Sequence, residues 1–155
     1  MTSLTDSRRR WLRTAAAAAV ASLLASCSVV PTGPLPPGTK VSQASSAREY
    51  RRDAASHLYA LNSARIYQGM LPPMLYAIGV LQVDIDRRGQ VGRLKWLRAP
   101  GHAPEVMQQI ERLVRAAAPY PVPARLGTVT YTDTWLWDQS GRFQLDTLTE
   151  GQQSM

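Results

Sequence analysis

The chain has 155 residues, which is the length of about one domain. Hydrophobic residues make up 45% against 19% charged residues, a balance that is typical of a globular protein and excludes disorder along the whole chain. One Cys and two His exclude an intrachain disulfide framework and leave few ligands for zinc. The formal net charge is +7, and much of it lies at the N-terminal end.

Residues 1–26 have the pattern of a secretory signal peptide. Arg8, Arg9, Arg10 and Arg13 form a basic flank, and an Ala-rich apolar run follows from Thr14 to Ala25. A basic flank, a short apolar run and small residues at its end direct export and are removed from the mature protein. The run of about 12 residues is shorter than the roughly 20 needed to cross a bilayer, so we expect no permanent membrane helix here.

The run ends in Leu24-Ala25-Ser26-Cys27, which resembles the lipobox of bacterial lipoproteins. The resemblance implies cleavage before Cys27 and a lipid on its thiol, and two or more acyl chains anchor a protein stably to a membrane. The alternative is a free cysteine in an ordinary leader. The next residue is Ser28, whereas an Asp there tends to retain such lipoproteins in the inner membrane. The resemblance therefore predicts an envelope protein anchored to the outer membrane and facing the periplasm.

The basic flank, Ser7-Arg8-Arg9-Arg10-Trp11-Leu12-Arg13, resembles the twin-arginine export signal. Trp11 and Arg13 stand where that signal has Phe and Lys. The resemblance implies that Arg8 and Arg9 direct export of folded cargo. The other interpretation is an ordinary basic flank for the general export route.

Residues 27–44 are interpreted as the lipidated Cys27 and a Pro- and Ser-rich tether. Its composition favours an extended, polyproline-like spacer that reaches at most roughly 50 Å. We therefore expect a folded domain at residues 45–148, held near a membrane surface. A polar, frayed tail is expected at residues 149–155.

The domain begins with a predicted helix. Ser46-Ala47-Arg48-Glu49 matches a capping box, in which the Ser46 hydroxyl accepts from the Glu49 amide and the Glu49 side chain returns to the Ser46 amide. Apolar residues then recur at spacings of three and four, which indicates one buried helical stripe. The stripe consists of Tyr50, Ala54, Leu58 and Leu61.

A hairpin follows, because the apolar period changes from about 3.6 to 2. Ala77 to Ile85 alternates apolar and polar residues as a half-buried strand does. Asp86-Arg87-Arg88-Gly89 has the composition of a turn, and Val91 to Arg98 returns as a second strand. In this second strand, Leu94 and Trp96 are expected on the buried face.

The second half of the domain has one helix and two further predicted strands. Pro104 suits the first turn of a helix, whose buried stripe is Val106, Ile110, Leu113, Val114 and Ala117. Pro119 ends this helix. Thr128 to Trp137 alternates as a third strand, and residues 142–148 are expected to form a fourth.

The element order is helix, strand, strand, helix, strand, strand. It predicts an α+β fold with an antiparallel sheet of three to four strands and two helices packed on one face.

The stretch from about Tyr76 to Trp137 resembles the TonB C-terminal domain family, to which the TolA C-terminal domain is structurally similar. The resemblance depends on an ordered set of segments rather than on one motif. These are residues 79–86, Arg88-Gly89-Gln90-Val91, Leu97-Arg98-Ala99-Pro100-Gly101 and Pro119-Tyr120-Pro121-Val122-Pro123. It implies a tethered, periplasm-facing domain without a catalytic role that binds a protein strand or an envelope component. The closest alternative within that class is an auxiliary to TonB-dependent transport.

In that family a short receptor segment joins the exposed third strand through main-chain hydrogen bonds. The resemblance therefore implies an envelope or outer-membrane protein partner. The candidate partner-binding residues are Val129, Tyr131, Thr132, Asp133, Trp135 and Trp137. Two questions stay open: the aromatic residues are either core or an exposed strip, and the predicted fourth strand can cover this edge.

The sequence offers no recognisable catalytic, metal or cofactor site. Asp84 and Asp86 share one face of a strand, but they are interpreted as solvated carboxylates beside a turn rather than as an acid–base pair. His57 and His102 are interpreted as surface or packed residues. The alternative from another class is a small envelope hydrolase or ligand-binding enzyme without a recognisable motif.

Basic residues cluster on the hairpin: Arg87, Arg88, Arg93, Lys95 and Arg98. Because the leader predicts export, we expect no nucleic-acid partner. The cluster is interpreted as a solvated edge, or as a surface for anionic lipid headgroups or an acidic partner. The sequence predicts no particular oligomeric state.

Overall fold

The structure is a computed structural model that describes residues 38–154. Arg8, Arg9 and Cys27, on which the export and lipidation predictions depend, lie outside these residues. The helices and strands are β1 (Val41–Ser42), α1 (Ala47–Leu61), β2 (Ala77–Ile85), β3 (Val91–Arg98), α2 (Pro104–Ala116), β4 (Val122–Pro123), β5 (Val129–Trp137) and β6 (Phe143–Leu145).

Four strands form an antiparallel sheet in the order β3-β2-β5-β6. The two central strands are in unbroken register, from Ala77 opposite Trp137 to Ile85 opposite Val129. Both helices contribute side chains to one core against this sheet. The α+β class, the two helices and the antiparallel sheet are thus confirmed.

The two faces of the sheet differ because the strand residues alternate. On β5, the odd-numbered side chains from Val129 to Trp137 are buried under the helices, and those of Thr130, Thr132 and Thr134 lie on the opposite face. β2 alternates in the same way. We call the surface opposite the helices the open face of the sheet.

The first helix begins as the capping box predicts, with one change. The Glu49 amide donates to the Ser46 hydroxyl over 3.2 Å, but the Glu49 carboxylate accepts from the Ser45 amide, at 2.7 Å, rather than from the Ser46 amide. This hydrogen bond from the Ser45 amide, together with one that the Ser45 hydroxyl donates to the same carboxylate over 2.9 Å, lowers the pKa of Glu49. Leu61 was expected in the buried stripe, yet it is 57% exposed because the helix ends there.

The second helix packs beside β3 and meets it at Trp96. The indole Nε1 of Trp96 donates to Glu111 over 2.8 Å. Trp96 reaches this position by crossing Gly79 of β2, where a Cβ atom would lie 2.7 Å from the indole carbon Cζ3. Gly79 therefore allows the close packing of β2 on β3.

The fourth strand is shorter than the predicted residues 142–148. Strand pairing ends at Leu145, and Asp146–Leu148 form a 3₁₀ turn. The Thr147 amide donates to the Asp133 side chain over 3.3 Å, which turns the chain away from a main-chain ladder with β5.

Both ends of the described chain are more ordered than the sequence suggested. β1, in the predicted tether, pairs in parallel with β4 and forms a separate two-stranded sheet. In the predicted frayed tail, Gly151 accepts from the Leu71 amide and Gln153 donates to the Leu71 carbonyl, both over 2.9 Å. Pairs this short have no periodic sequence signal, so tertiary contacts decide them.

Candidate functional site

Two thirds of β5, the first six of its nine residues, lack a strand neighbour on the outer side. β6 pairs with Trp135, Leu136 and Trp137. Within residues 38–154, no strand pairs with Val129–Thr134 on the side away from β2. We call Val129–Thr134 the open stretch of β5. It is an exposed strand edge, which is a template for pairing with another chain.

The direction of the main-chain groups follows from Thr134. Its amide donates to the Asp133 side chain over 2.9 Å, on the side of the strand that faces away from β2. In an antiparallel strand, alternate residues direct both N–H and C=O to the same edge. The N–H and C=O groups of Thr130 and Thr132 therefore face the open side, and those of Tyr131 and Asp133 face β2.

A groove runs along the open stretch, with a volume of about 340 Å³. One wall is β5, and the other is the first turns of α1. It is lined by Ala47, Arg48, Arg51, Thr130, Thr132, Asp133, Thr134 and Asp146.

Asp133 forms the floor of this groove and is 2% exposed. Its carboxylate accepts from Arg51 Nη2 and from the Tyr131 hydroxyl, each over 2.9 Å, besides the amides of Thr134 and Thr147. Arg51 also pairs with the exposed Asp146 over 3.1 Å. A buried carboxylate needs such partners because removal from water disfavours its charge.

The two side-chain donors of this cluster, Arg51 and Tyr131, both have a raised pKa. Burial, followed by the charge of Asp133, raises the pKa of Tyr131 well above its ordinary value, so its hydroxyl stays protonated and donates. Burial opposes the charge on Arg51, but its hydrogen bonds with Asp133 and Asp146 and their charges outweigh it and raise its pKa. Arg51 and the Tyr131 hydroxyl thus both keep their protons and donate to the Asp133 side chain.

The predicted binding residues occupy two different environments. The side chains of Val129, Tyr131, Trp135 and Trp137 are buried, and Trp137 stacks on Phe143 with ring centroids 5.5 Å apart. The aromatic residues therefore belong to the core, one of the two interpretations that the sequence left open. Thr132 is half-buried on the open face. What this strand offers a partner is its main chain.

Sequence reasoning missed the opposite wall of the groove. Arg48 was named only within the capping box, and no binding role was predicted for Arg51. A signal was nevertheless present, since Asp133 falls on the buried side of the β5 alternation and a carboxylate there requires a cation or several donors.

Both histidines contact backbone carbonyls. His57 Nε2 lies 2.7 Å from the Ala117 oxygen, and His102 Nε2 lies 2.8 Å from the Tyr76 oxygen. His57 lines a second groove, of about 350 Å³, together with Asp53 and Ser56. The Asp53 carboxylate accepts from the Ser42 hydroxyl. In this groove Asp53 thus binds Ser42, and His57 holds the end of α2.

Asp84 and Asp86 have structural partners at the hairpin. Asp84 accepts from Arg93 Nε over 3.3 Å and from the Thr130 hydroxyl over 3.0 Å. Asp86 accepts from the amides of Arg88 and Gln90, each over 2.8 Å. The two carboxylates thus stabilise a strand pair and a turn.

Comparison with known proteins adds no assignment. No protein-family model, curated protein or solved structure matches the chain. In the part of the chain that the structure describes, no group of three or more His, Cys, Asp or Glu residues could hold a metal ion. Among the same residues, no helix is both long and apolar enough to span a bilayer.

Proposed function

We propose that the chain is a lipid-anchored binding module, facing the periplasm, that takes up a short extended segment of an envelope protein as an added strand. The observation that carries this proposal is the open stretch of β5. Within residues 38–154 no strand pairs with it on the side away from β2, and it lies beside a groove rather than on a flat surface. Strand addition uses such an edge for affinity and the adjoining side chains for specificity.

The dimensions of the edge limit the added segment. Six residues span about 20 Å at about 3.3 Å per residue. Thr130 and Thr132 together offer two N–H donors and two C=O acceptors. At roughly 0.5–1.5 kcal/mol net per hydrogen bond, main-chain pairing alone gives weak and reversible binding. The wall formed by Ala47, Arg48 and Arg51 supplies the remaining contacts.

The TonB-like resemblance supports the same strand as the binding element and an auxiliary role in TonB-dependent transport. β6 occupies only the end of this strand, from Trp135 onward. The added segment would therefore lie along Val129–Thr134, beside the first turn of α1, and would stop where β6 pairs with Trp135. This arrangement sets both the position and the maximum length of the segment.

A paired substitution tests strand addition. A photoreactive residue at Thr132 is introduced into cells that make the full chain, with Thr130→Pro or Thr130→Val in the background. Both changes remove the Thr130 hydroxyl, but only proline removes the edge N–H. We expect a discrete envelope-protein adduct with Val and its loss with Pro. An equal yield from both variants would contradict strand addition.

Lipidation is tested separately. The Cys27→Ser chain should lose palmitate labelling and leave the membrane fraction. Unchanged labelling and sedimentation would contradict the anchor.

The export route has its own test. Replacing Arg8 and Arg9 with Lys should block export if the twin-arginine route is used, whereas the general route predicts unchanged export.

A further inference from the structure

One end of the sheet exposes apolar side chains. Met74 and Tyr76 precede β2, Ile78 lies within it, and Leu97 is in β3; their exposed fractions are 76%, 40%, 36% and 51%. Tyr76 is tied to the loop that follows β3, since its ring lies against His102 with centroids 6.0 Å apart. We call these four residues the apolar end of the sheet. Their exposure is an interaction signal because soluble domains rarely leave such side chains together in water.

A β-bulge contributes to this surface. The β2–β3 register shifts between Val80 opposite Arg98 and Leu81 opposite Trp96, so Leu97 is an extra residue in β3. Bulges locally re-aim side chains at sheet edges. Trp96 is half-buried and packs against the core, while Leu97 is exposed next to Arg98.

The apolar end adjoins positive charge. Lys95 and Arg98 are exposed on β3, and neither forms an ion pair within residues 38–154. Arg98 lies opposite Val80 and Lys95 opposite Gln82, so both cations border the open face. Exposed apolar and aromatic side chains beside Lys and Arg are the combination that binds an anionic bilayer surface.

We propose that the apolar end of the sheet, together with Lys95 and Arg98, docks on the surface of an anionic membrane. The distance to the proposed anchor favours a membrane over a protein as the occupant. The ten residues from Ser28 to Pro37 span at most about 36 Å when fully extended, so an anchored domain stays close to the bilayer. The tether thus keeps the domain at a high effective concentration near the bilayer, so a weak affinity for the bilayer surface is sufficient for docking. The distance argument depends on the proposed lipid at Cys27, and the argument from charge and exposure does not.

The test uses the compact unit Pro34–Met155, which lacks the basic leader and the acylated cysteine. The buried core side chains of the described residues extend from Ala44 to Leu145, so this unit contains all of them. Sedimentation with phosphatidylcholine vesicles, with and without phosphatidylglycerol, measures its partitioning. We expect binding only to the anionic vesicles, with loss of binding in high salt.

Three variants locate the surface. Lys95→Glu with Arg98→Glu should weaken partitioning by about thirtyfold or more, because each cation near an anionic surface contributes roughly fivefold. Met74→Ser with Leu97→Ser should weaken it by about tenfold. The matched control is Arg112→Glu with Arg115→Glu, the same charge change on the exposed side of α2, and it should retain most of the binding.

The outcomes separate the membrane from other occupants. Thermal unfolding identifies any variant that fails to fold, and the Met74/Leu97 pair tests the surface without altering its charge. Failure of the unmodified unit to bind anionic vesicles would overturn the proposal, and a patch that binds a protein instead would give this result. Equal losses in the β3 and α2 charge variants would also overturn it, because binding would then follow net charge alone. Neither result bears on strand addition at β5.

Discussion

The sheet has two edges available to another chain, and they are built differently. β3 carries Arg93, Lys95 and Arg98, and its register with β2 shifts at two places. Charged side chains and bulges are the features by which natural sheets avoid edge-to-edge pairing. The open stretch of β5 has threonines, no lysine, and an unbroken register with β2. The comparison indicates that β3 is protected against strand pairing, whereas β5 is left competent for it over a short, bounded length.

The largest effect is expected at Asp133, which holds the open stretch to α1. Asp133→Ala leaves the Tyr131 hydroxyl and two amides without their acceptor and leaves Arg51 with only the exposed Asp146, and it should lower the free energy of unfolding by about 3–5 kcal/mol. Urea unfolding measures this. Asp146→Ala, which removes the exposed partner of the same arginine, should cost less than about 1 kcal/mol. Similar losses in both variants would show that Asp133 does not organise this edge.

A smaller effect is expected on the β3 side. Gly79→Ala places a methyl group against the Trp96 ring and should cost about 1–3 kcal/mol through overpacking. Gly101→Ala is the control, because nothing lies within 4 Å of its added Cβ. The comparison would be sharpened if Gly79→Ala increased the hydrogen-exchange rates of the β3 amides and left those of the β5 amides unchanged. A Gly79→Ala protein as stable as the control would contradict the packing described for β2 and β3.

Three buried tyrosines, one in β5 and two packed in the core, should make the free energy of unfolding depend on alkaline pH. Burial raises the pKa of Tyr50, Tyr120 and Tyr131 above the ordinary value of 10.0. The folded state therefore retains protons that the unfolded chain loses, so their contribution is fully present below pH 10 and declines as pH rises beyond it. Each group should cost about 1.4 kcal/mol per pH unit above 10.

Urea unfolding between pH 8 and pH 11 measures this decline. Tyr50→Phe removes one of the three groups and should reduce the slope. A flat profile through pH 11 would contradict the burial of these hydroxyls.

The sequence was sufficient to predict the elements in which one apolar pattern repeats over many residues. The alternation in β2 and β5 predicted both strands and which of their residues share a face, because nine residues repeat one pattern. Asp133 lies among the buried residues of β5, but it was not assigned to that side from the sequence. Its partner Arg51 lies 82 positions away along the chain, and no local pattern relates the two.

The sequence left open whether the fourth strand covers the stretch that the structure shows to be the open stretch of β5. The open stretch exists because β6 stops at Leu145, and β6 stops where Thr147 donates to Asp133. The pairing of β1 with β4 was missed for a related reason, since two-residue strands carry no period. The predicted leader and lipid anchor lie outside the described residues and stay predictions.

The most direct test of the open edge is amide hydrogen exchange in the free protein, followed residue by residue by NMR. The amides of Tyr131 and Asp133 face β2 and should exchange slowly. Those of Thr130 and Thr132 face the groove and should exchange much faster, close to the rates of exposed loops. Strong protection of Thr130 and Thr132 equal to that of their neighbours would contradict an open β5 edge, and with it the proposed strand addition.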